Sequence, residues 1–249
     1  MISGPSGGKY MDLELKRKQF NSAMELYENR RIYTLFSRFI ATANVSLQFL
    51  LLFRVFELSI GAAWQIAAIA AAYLAADFMN GLVHLYMDNN DNYGSAAGPL
   101  IANFHLHHKT PRYKDRGLPA VYFNETGSKV WLVPYLSAIL FLSYRPVLNP
   151  VLLYALVYTG ILSSVAEVSH YLAHNSLSPT AAFLARAGLL LPKRRHARHH
   201  IEDNVSYTFL NGVTDPLVDM IAGKYYAGYK NGTDLHYSIW NGPGSFPER

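Results

Sequence analysis

The sequence contains no cysteine, and charged residues make up only 16% of its 249 positions. The absence of cysteine excludes disulfide scaffolds, iron–sulfur clusters, thiolate zinc sites and cysteine nucleophiles. The charged fraction is below the roughly 25% of an average soluble chain, whereas 51% of the residues are hydrophobic. This composition excludes a disordered or fibrous protein and leaves a globular or a membrane protein.

Four apolar stretches predict how the chain meets a membrane, and they cover residues 39–56, 58–86, 130–144 and 151–171. The first two reach the roughly 20 residues that a helix needs to cross a bilayer, whereas the third is short for a full crossing. Pro146 and Pro150 separate the third and fourth stretches and predict a tight turn between two antiparallel helices. We therefore predict an all-α integral membrane protein with about four transmembrane helices.

The rest of the chain flanks this membrane-embedded part, which spans residues 39–222. Residues 1–9 are small, polar and glycine-rich and predict a flexible tail, and residues 10–38 carry apolar positions at mostly helical intervals. Residues 1–38 thus combine a tail with an amphipathic helix, which either lies on a membrane surface or is an ordinary amphipathic helix. Residues 223–249 are interpreted as a C-terminal tail, with His236 at the surface.

The distribution of basic residues gives an independent indication of topology. Four crossings would place the residues before 39, those between 86 and 130, and those after 171 on one side of the membrane. These segments hold 20 of the 22 lysines and arginines, and such an excess is typical of the cytoplasmic side. We therefore expect a multi-pass protein with both termini and a histidine-rich cap in the cytoplasm; the alternative is a soluble helical protein with a very apolar core.

The ten histidines are clustered rather than scattered. His84 and Asp88 end the second apolar stretch, and His170 and His174 end the fourth, with Glu167 one turn earlier. Each His–Asp or His–His pair is spaced four residues apart, so its members share a helix face and can bind one metal ion jointly. Two further clusters lie in polar segments: His105, His107 and His108, and His196, His199 and His200.

The number of imidazoles indicates two metal ions. Eight or more histidines exceed the three or four that one zinc ion takes, and imidazole also suits iron, copper and nickel. Two irons with open coordination beside a hydrocarbon phase favour O2 activation and attack on an unactivated C–H bond, because hydrolysis would not need a position among lipid tails. We place this di-metal catalytic site in residues 39–222.

Four segments of this region resemble the lipid desaturase family, which includes plasmanylethanolamine desaturases and plastid fatty-acid desaturases acting on phosphatidylglycerol. The segments read DFMNGLVHLYMD at 77–88, FHLHHKTP at 104–111, HYLAH at 170–174 and HARHH at 196–200. Residues 207–219 are similar to the family as well. The order and spacing of these motifs within residues 77–220 are far more specific than any single motif.

The resemblance implies a set of site residues. The metal-binding histidines of the family fall on His84, His107, His108, His170, His174, His196, His199 and His200. Asp88 and Asn124 are implied as further catalytic-site residues. Arg195 stands where members often have a histidine, and Asn204 stands where a Pro-His pair usually places one. Asn204 follows His200 by one turn, so it remains a candidate ligand through its carbonyl or a water. His105 is extra.

The resemblance also implies an activity. It predicts an oxidoreductase that uses O2 and two non-haem iron ions to introduce a C=C bond into an alkyl or acyl chain of a phospholipid-like substrate. The electrons would come from a separate partner of the cytochrome b5 or ferredoxin type, and nucleic acid is not expected as a partner. The alternatives are a hydroxylase with the same site and a metal-binding membrane transporter or sensor, which the nearly non-polar helix centres disfavour.

Overall fold

The chain is all-α in the computed structural model, which describes residues 6–109, 117–145, 148–237 and 240, with side chains from residue 12 onward. No strand occurs in these ranges, and the predicted fold class is confirmed at this level. The helices are α1 Ser6–Asn29, α2 Arg31–Phe56, α3 Ala62–Asp88, α4 Gly98–Lys109, α5 Leu118–Thr126, α6 Leu132–Ser143, α7 Pro150–Asn175, α8 Pro179–Arg186, α9 Lys193–Ile201 and α10 Asp215–Tyr225. A short 3₁₀ helix follows at Thr233–Leu235.

Three helices of the described chain, α2, α3 and α7, are long and apolar enough to cross a membrane. The expected number was about four. The third apolar stretch forms only the 12-residue helix α6, which is about 18 Å long and shorter than the roughly 30 Å of a hydrocarbon core. The first crossing helix is longer than its apolar stretch, because α2 begins at Arg31 rather than near residue 39.

Helices α3 and α7 form the central pair and run in the same direction. Near their N-terminal ends the Tyr158 hydroxyl donates to Gln65 Oε1 at 2.8 Å, and near their C-terminal ends the rings of His84 and His170 are 6.5 Å apart. Small side chains along both helices, such as the fully buried Ala76 of α3, allow this close packing. The histidines of both helices therefore lie at the same end of the bundle.

Helix α6 returns the chain from that end to the start of α7. Just before α6, Lys129 contacts Glu167 near the histidine end of α7. After α6, Arg54 at the end of α2 donates to the Ser143 carbonyl. Gly160 makes the approach of α6 to α7 possible, because a Cβ atom there would lie 2.4 Å from Leu136 Cδ2.

Helix α1 packs on the cap that carries the histidines. It begins at Ser6, so residues 6–9, which their composition assigns to a tail, are helical. Its buried residues Phe20 and Met24 join Ala102 of α4 and Trp240 in one apolar cluster. One face of the amphipathic helix is thus covered by protein.

Candidate metal centre

A first group of ligand-type side chains forms where α3, α4 and α9 meet. His84 and Asp88 come from α3, His108 from α4 and His199 from α9. The Nε2 atoms of these three histidines lie 3.6, 3.3 and 3.4 Å, respectively, from the Asp88 carboxylate oxygens. All four side chains are nearly inaccessible to solvent, so the group is a closed site.

A second group forms beside it, where α4 and α9 meet α7. His107, His174, His196 and His200 each offer one ring nitrogen. The Nε2 of His174 lies 2.9 Å from that of His107 and 2.6 Å from that of His196. His200 Nε2 and His170 Nε2 are each 3.0 Å from His196 Nε2, so His170 adjoins the same group. The structure thus brings together all eight predicted histidines and Asp88.

The spacing of these atoms fits metal ions. Nitrogen ligands about 2.0–2.1 Å from one ion are themselves about 3 Å apart, and the Nε2 to Nε2 distances between neighbouring histidines run from 2.6 to 3.3 Å. Both Asp88 oxygens are buried and have no hydrogen-bond partner among the described residues. Burying a carboxylate without hydrogen-bond partners destabilises the folded protein. A cation held by the surrounding imidazoles would compensate the charge of Asp88.

Backbone carbonyls orient two histidines of the first group. His84 Nδ1 donates to the Tyr207 carbonyl at 2.8 Å, and His199 Nδ1 donates to the Val205 carbonyl at 3.0 Å. A proton on Nδ1 leaves the lone pair on Nε2, which faces the group. The loop at 205–207 therefore sets both tautomers for metal binding.

The histidines of α4 and α9 are held in the neutral form that metal binding requires. Burial, reinforced by neighbouring histidines, lowers the pKa of His107, His108, His196 and His199 well below the usual value. The same causes lower the pKa of His200 to about 4. At neutral pH these imidazoles keep a free lone pair, so a metal ion does not have to displace a proton.

Asp77 of α3 forms hydrogen bonds with the loop that orients His84 and His199. Its Oδ1 accepts from the backbone N–H groups of residues 210, 211 and 212, and its Oδ2 accepts from the backbone N–H and hydroxyl of Thr214. The loop also lies directly against α3 at Gly81, where a Cβ atom would be 2.6 Å from Thr208 Cγ2. The Asp77 carboxylate therefore organises the loop that follows Tyr207.

Replacement of Asp77 by asparagine is expected to lower the free energy of unfolding by about 2–4 kcal/mol, because an amide nitrogen would face N–H donors in a buried site. Thermal unfolding in detergent measures the loss. Asp91→Asn is the matched control, since Asp91 forms an ion pair with Lys16 that is only partly buried. Equal stability of the two variants would contradict the role given to Asp77.

Two predicted site residues lie outside both groups. The Asn124 side chain donates to the Ala120 carbonyl within α5. The Asn204 carbonyl oxygen accepts from the Tyr207 hydroxyl at 2.9 Å, and its nitrogen donates to the Tyr226 carbonyl at 3.0 Å. Their catalytic and ligand roles remain predictions, and neither residue enters the ligand set proposed below. The Arg195 guanidinium donates to the Gly212 carbonyl.

Two further histidines are buried but belong to neither group. The Tyr93 hydroxyl lies 2.7 Å from His105 Nδ1 and 3.0 Å from His236 Nδ1. His105 Nε2 also lies 2.7 Å from the Met87 carbonyl. His236 is only 6% exposed, so its prediction as a surface residue is wrong, because the C-terminal segment folds back against α1 and α4.

The sequence pattern did not single out two charged residues beside the candidate centre, Lys129 and Asp234. Lys129 Nζ lies 2.9 Å from Glu167 Oε1 and 2.5 Å from Asn80 Oδ1, and Glu167 Oε2 is 3.8 Å from His170 Nδ1. Asp234 Oδ1 lies 3.0 Å from His108 Nδ1. The only sequence feature that could have indicated Lys129 was its position at the edge of an apolar stretch. No sequence feature indicated Asp234.

These features define the class of protein: the described residues are all-helical, with three helices able to cross a membrane and two adjoining groups of metal-ligand side chains at one end of them. The family model described as Lipid desaturase domain matches residues 73–223. The chain belongs to the lipid desaturase family, which confirms the resemblance and implies an oxidoreductase. Comparisons with curated proteins and with solved structures gave no match.

Proposed function

We propose that the protein is an O2-dependent membrane lipid desaturase that introduces a C=C bond into an alkyl or acyl chain of a phospholipid-like substrate. The observation that carries the proposal is the convergence of eight histidines and Asp88 on two adjoining sites at the ends of α3 and α7. Membership of the lipid desaturase family gives these sites their reaction class.

The two groups would hold two iron ions. His84, Asp88, His108 and His199 would hold one ion, and His107, His174, His196 and His200 the other, with His170 beside it. When bound, such a pair supplies O2 activation and oxidation of an unactivated C–H bond. Imidazole and carboxylate donors without any thiolate suit iron in this role.

The protein groups around the site would bind the hydrocarbon chain and exclude water. The Phe209 ring lies 5.5 Å from the His84 ring and 5.3 Å from the His170 ring, so it adjoins both groups. The Phe104 ring lies 5.6 Å from the His84 ring on its edge. These apolar walls favour a methylene chain over a polar substrate beside the ions.

We further propose the orientation and the partner. The excess of lysine and arginine at the histidine end, 20 of 22 residues in the segments assigned to it, supports a multi-pass protein with both termini and the metal centre on the cytoplasmic side. In this arrangement α6, with the segment around Lys129, would complete the third passage of the chain. The electrons would come from a separate donor of the cytochrome b5 or ferredoxin type.

Metal analysis and lipid mass spectrometry test the proposed function together. We expect about two iron ions per chain in detergent-purified protein, and cells that express it should contain a lipid lighter by two hydrogen atoms. A product heavier by one oxygen atom would identify a hydroxylase instead. A single zinc ion per chain, or metal without any change in lipids, would contradict the desaturase and favour a metal-binding transporter or sensor.

A further inference from the structure

The C-terminal segment of residues 229–236 packs against the candidate metal centre, although it lies beyond the matched family region of residues 73–223. The Tyr229 hydroxyl donates to the His199 carbonyl, and Thr233 Oγ1 donates to the Asp88 carbonyl at 2.5 Å. Lys230 Nζ donates to the His200 carbonyl at 2.6 Å. The segment thus contacts the backbone of three proposed ligands.

Asp234 makes the most direct contact with a proposed ligand side chain. Its Oδ1 lies 3.0 Å from His108 Nδ1, and its Oδ2 accepts from Lys230 Nζ at 2.7 Å. The side chains of His108 and Asp234 are 2% and 9% exposed, so water does not compete strongly for this hydrogen bond. A carboxylate at Nδ1 keeps the proton there and leaves the Nε2 lone pair directed toward Asp88.

The contact differs from those of the other two histidines in the first group. His84 and His199 donate Nδ1–H to the backbone carbonyls of Tyr207 and Val205, which no side-chain substitution removes. His108 alone among these three donates to a carboxylate in the described structure. A carboxylate also raises the basicity of the imidazole it holds, which strengthens metal binding.

We propose that Asp234 is a positioning residue for the first metal site: it fixes the ring orientation and tautomer of His108, and Lys230 holds Asp234 in place. The inference rests on the metal binding in the proposed function and adds a part of the chain that the family match does not include. It makes the C-terminal segment a component of the metal centre.

Substitutions at Asp234 test this inference through metal content. Asp234→Leu removes the acceptor, and we expect bound metal to fall from about two ions to about one, or affinity at the first site to fall about 10- to 100-fold. Asp234→Asn keeps an oxygen acceptor without the charge and should give a smaller loss. Total metal is measured by mass spectrometry, and Mössbauer spectra of ⁵⁷Fe-loaded protein show which site has changed.

Matched variants separate positioning from general stability. Asp91→Asn removes a partly buried carboxylate that pairs with Lys16 and belongs to neither ligand group, and it should keep both ions. Lys230→Met should reproduce part of the Asp234 effect, since the carboxylate then loses its fixed partner. Melting curves identify any variant that fails to fold. If Asp234→Leu does not fold, the metal content of Asp234→Asn, the mildest change, tests the inference.

The outcomes also separate this inference from the proposed function. Unchanged metal content, affinity and spectra in folded Asp234 variants would overturn the positioning role while leaving the desaturase activity standing. A wild-type chain that binds two ions without producing an unsaturated lipid would overturn the activity, and loss of one ion in Asp234→Leu would still support the positioning role. A wild-type chain without bound metal would overturn both.

Discussion

Replacing His199 by alanine is expected to remove the metal ion of the first group, and replacing His196 by alanine that of the second. The two histidines lie three residues apart on α9 and are equally buried, with 0% and 2% exposure. Each contributes to a different group. Each variant should keep about one of two ions and lose activity to below about 1% of wild type, because the two ions act as a unit.

Metal analysis by mass spectrometry, combined with lipid product analysis, checks this pair of variants. His105→Gln is the control, since His105 is buried in the same cap but belongs to neither group. That variant should keep two ions and most of the activity. Two ions in both alanine variants would exclude these histidines as ligands. Loss of both ions in each would show that the two sites do not fill independently.

Replacing Lys129 by methionine is expected to lower the free energy of unfolding by about 3–5 kcal/mol, because it leaves the buried Glu167 carboxylate without its cation. Lys129 is 4% exposed and contacts both Glu167 and Asn80. The ion pair joins the α5–α6 corner to α7, and the hydrogen bond to Asn80 joins it to α3, next to the candidate metal centre.

A double-mutant cycle in detergent measures this coupling. Glu167→Gln alone should also destabilise the protein, whereas the combined Lys129→Met and Glu167→Gln variant should be more stable than the sum of the single losses predicts, because no charge is left unpaired. Glu57→Gln is the control, since the Glu57 side chain is 69% exposed and its ion pair with Arg54 contributes at most about 1 kcal/mol. If the losses in the free energy of unfolding at positions 129 and 167 were additive, the result would contradict an energetic coupling between Lys129 and Glu167.

Much of the candidate site follows from local spacing. Residues four apart share a helix face, and the structure places His84 with Asp88, and His196 with His200, in the same groups. The number of crossings stays a prediction, because the third apolar stretch is already short for a full crossing in the sequence and forms the 12-residue helix α6 in the structure. Asp234 could not be found from pattern, since it lies 126 residues from its partner His108.

Residue type and spacing are sufficient to predict the donors of the candidate metal centre: the imidazoles, the Asp88 carboxylate, and the apolar helices that present them. The division of these donors into two groups depends on how the helices pack. His107 and His108 are neighbours in the chain yet belong to different groups, because successive residues point about 100° apart around a helix. Which group each one joins depends on where α3, α7 and α9 pack around α4, and those long-range contacts are set by the whole fold.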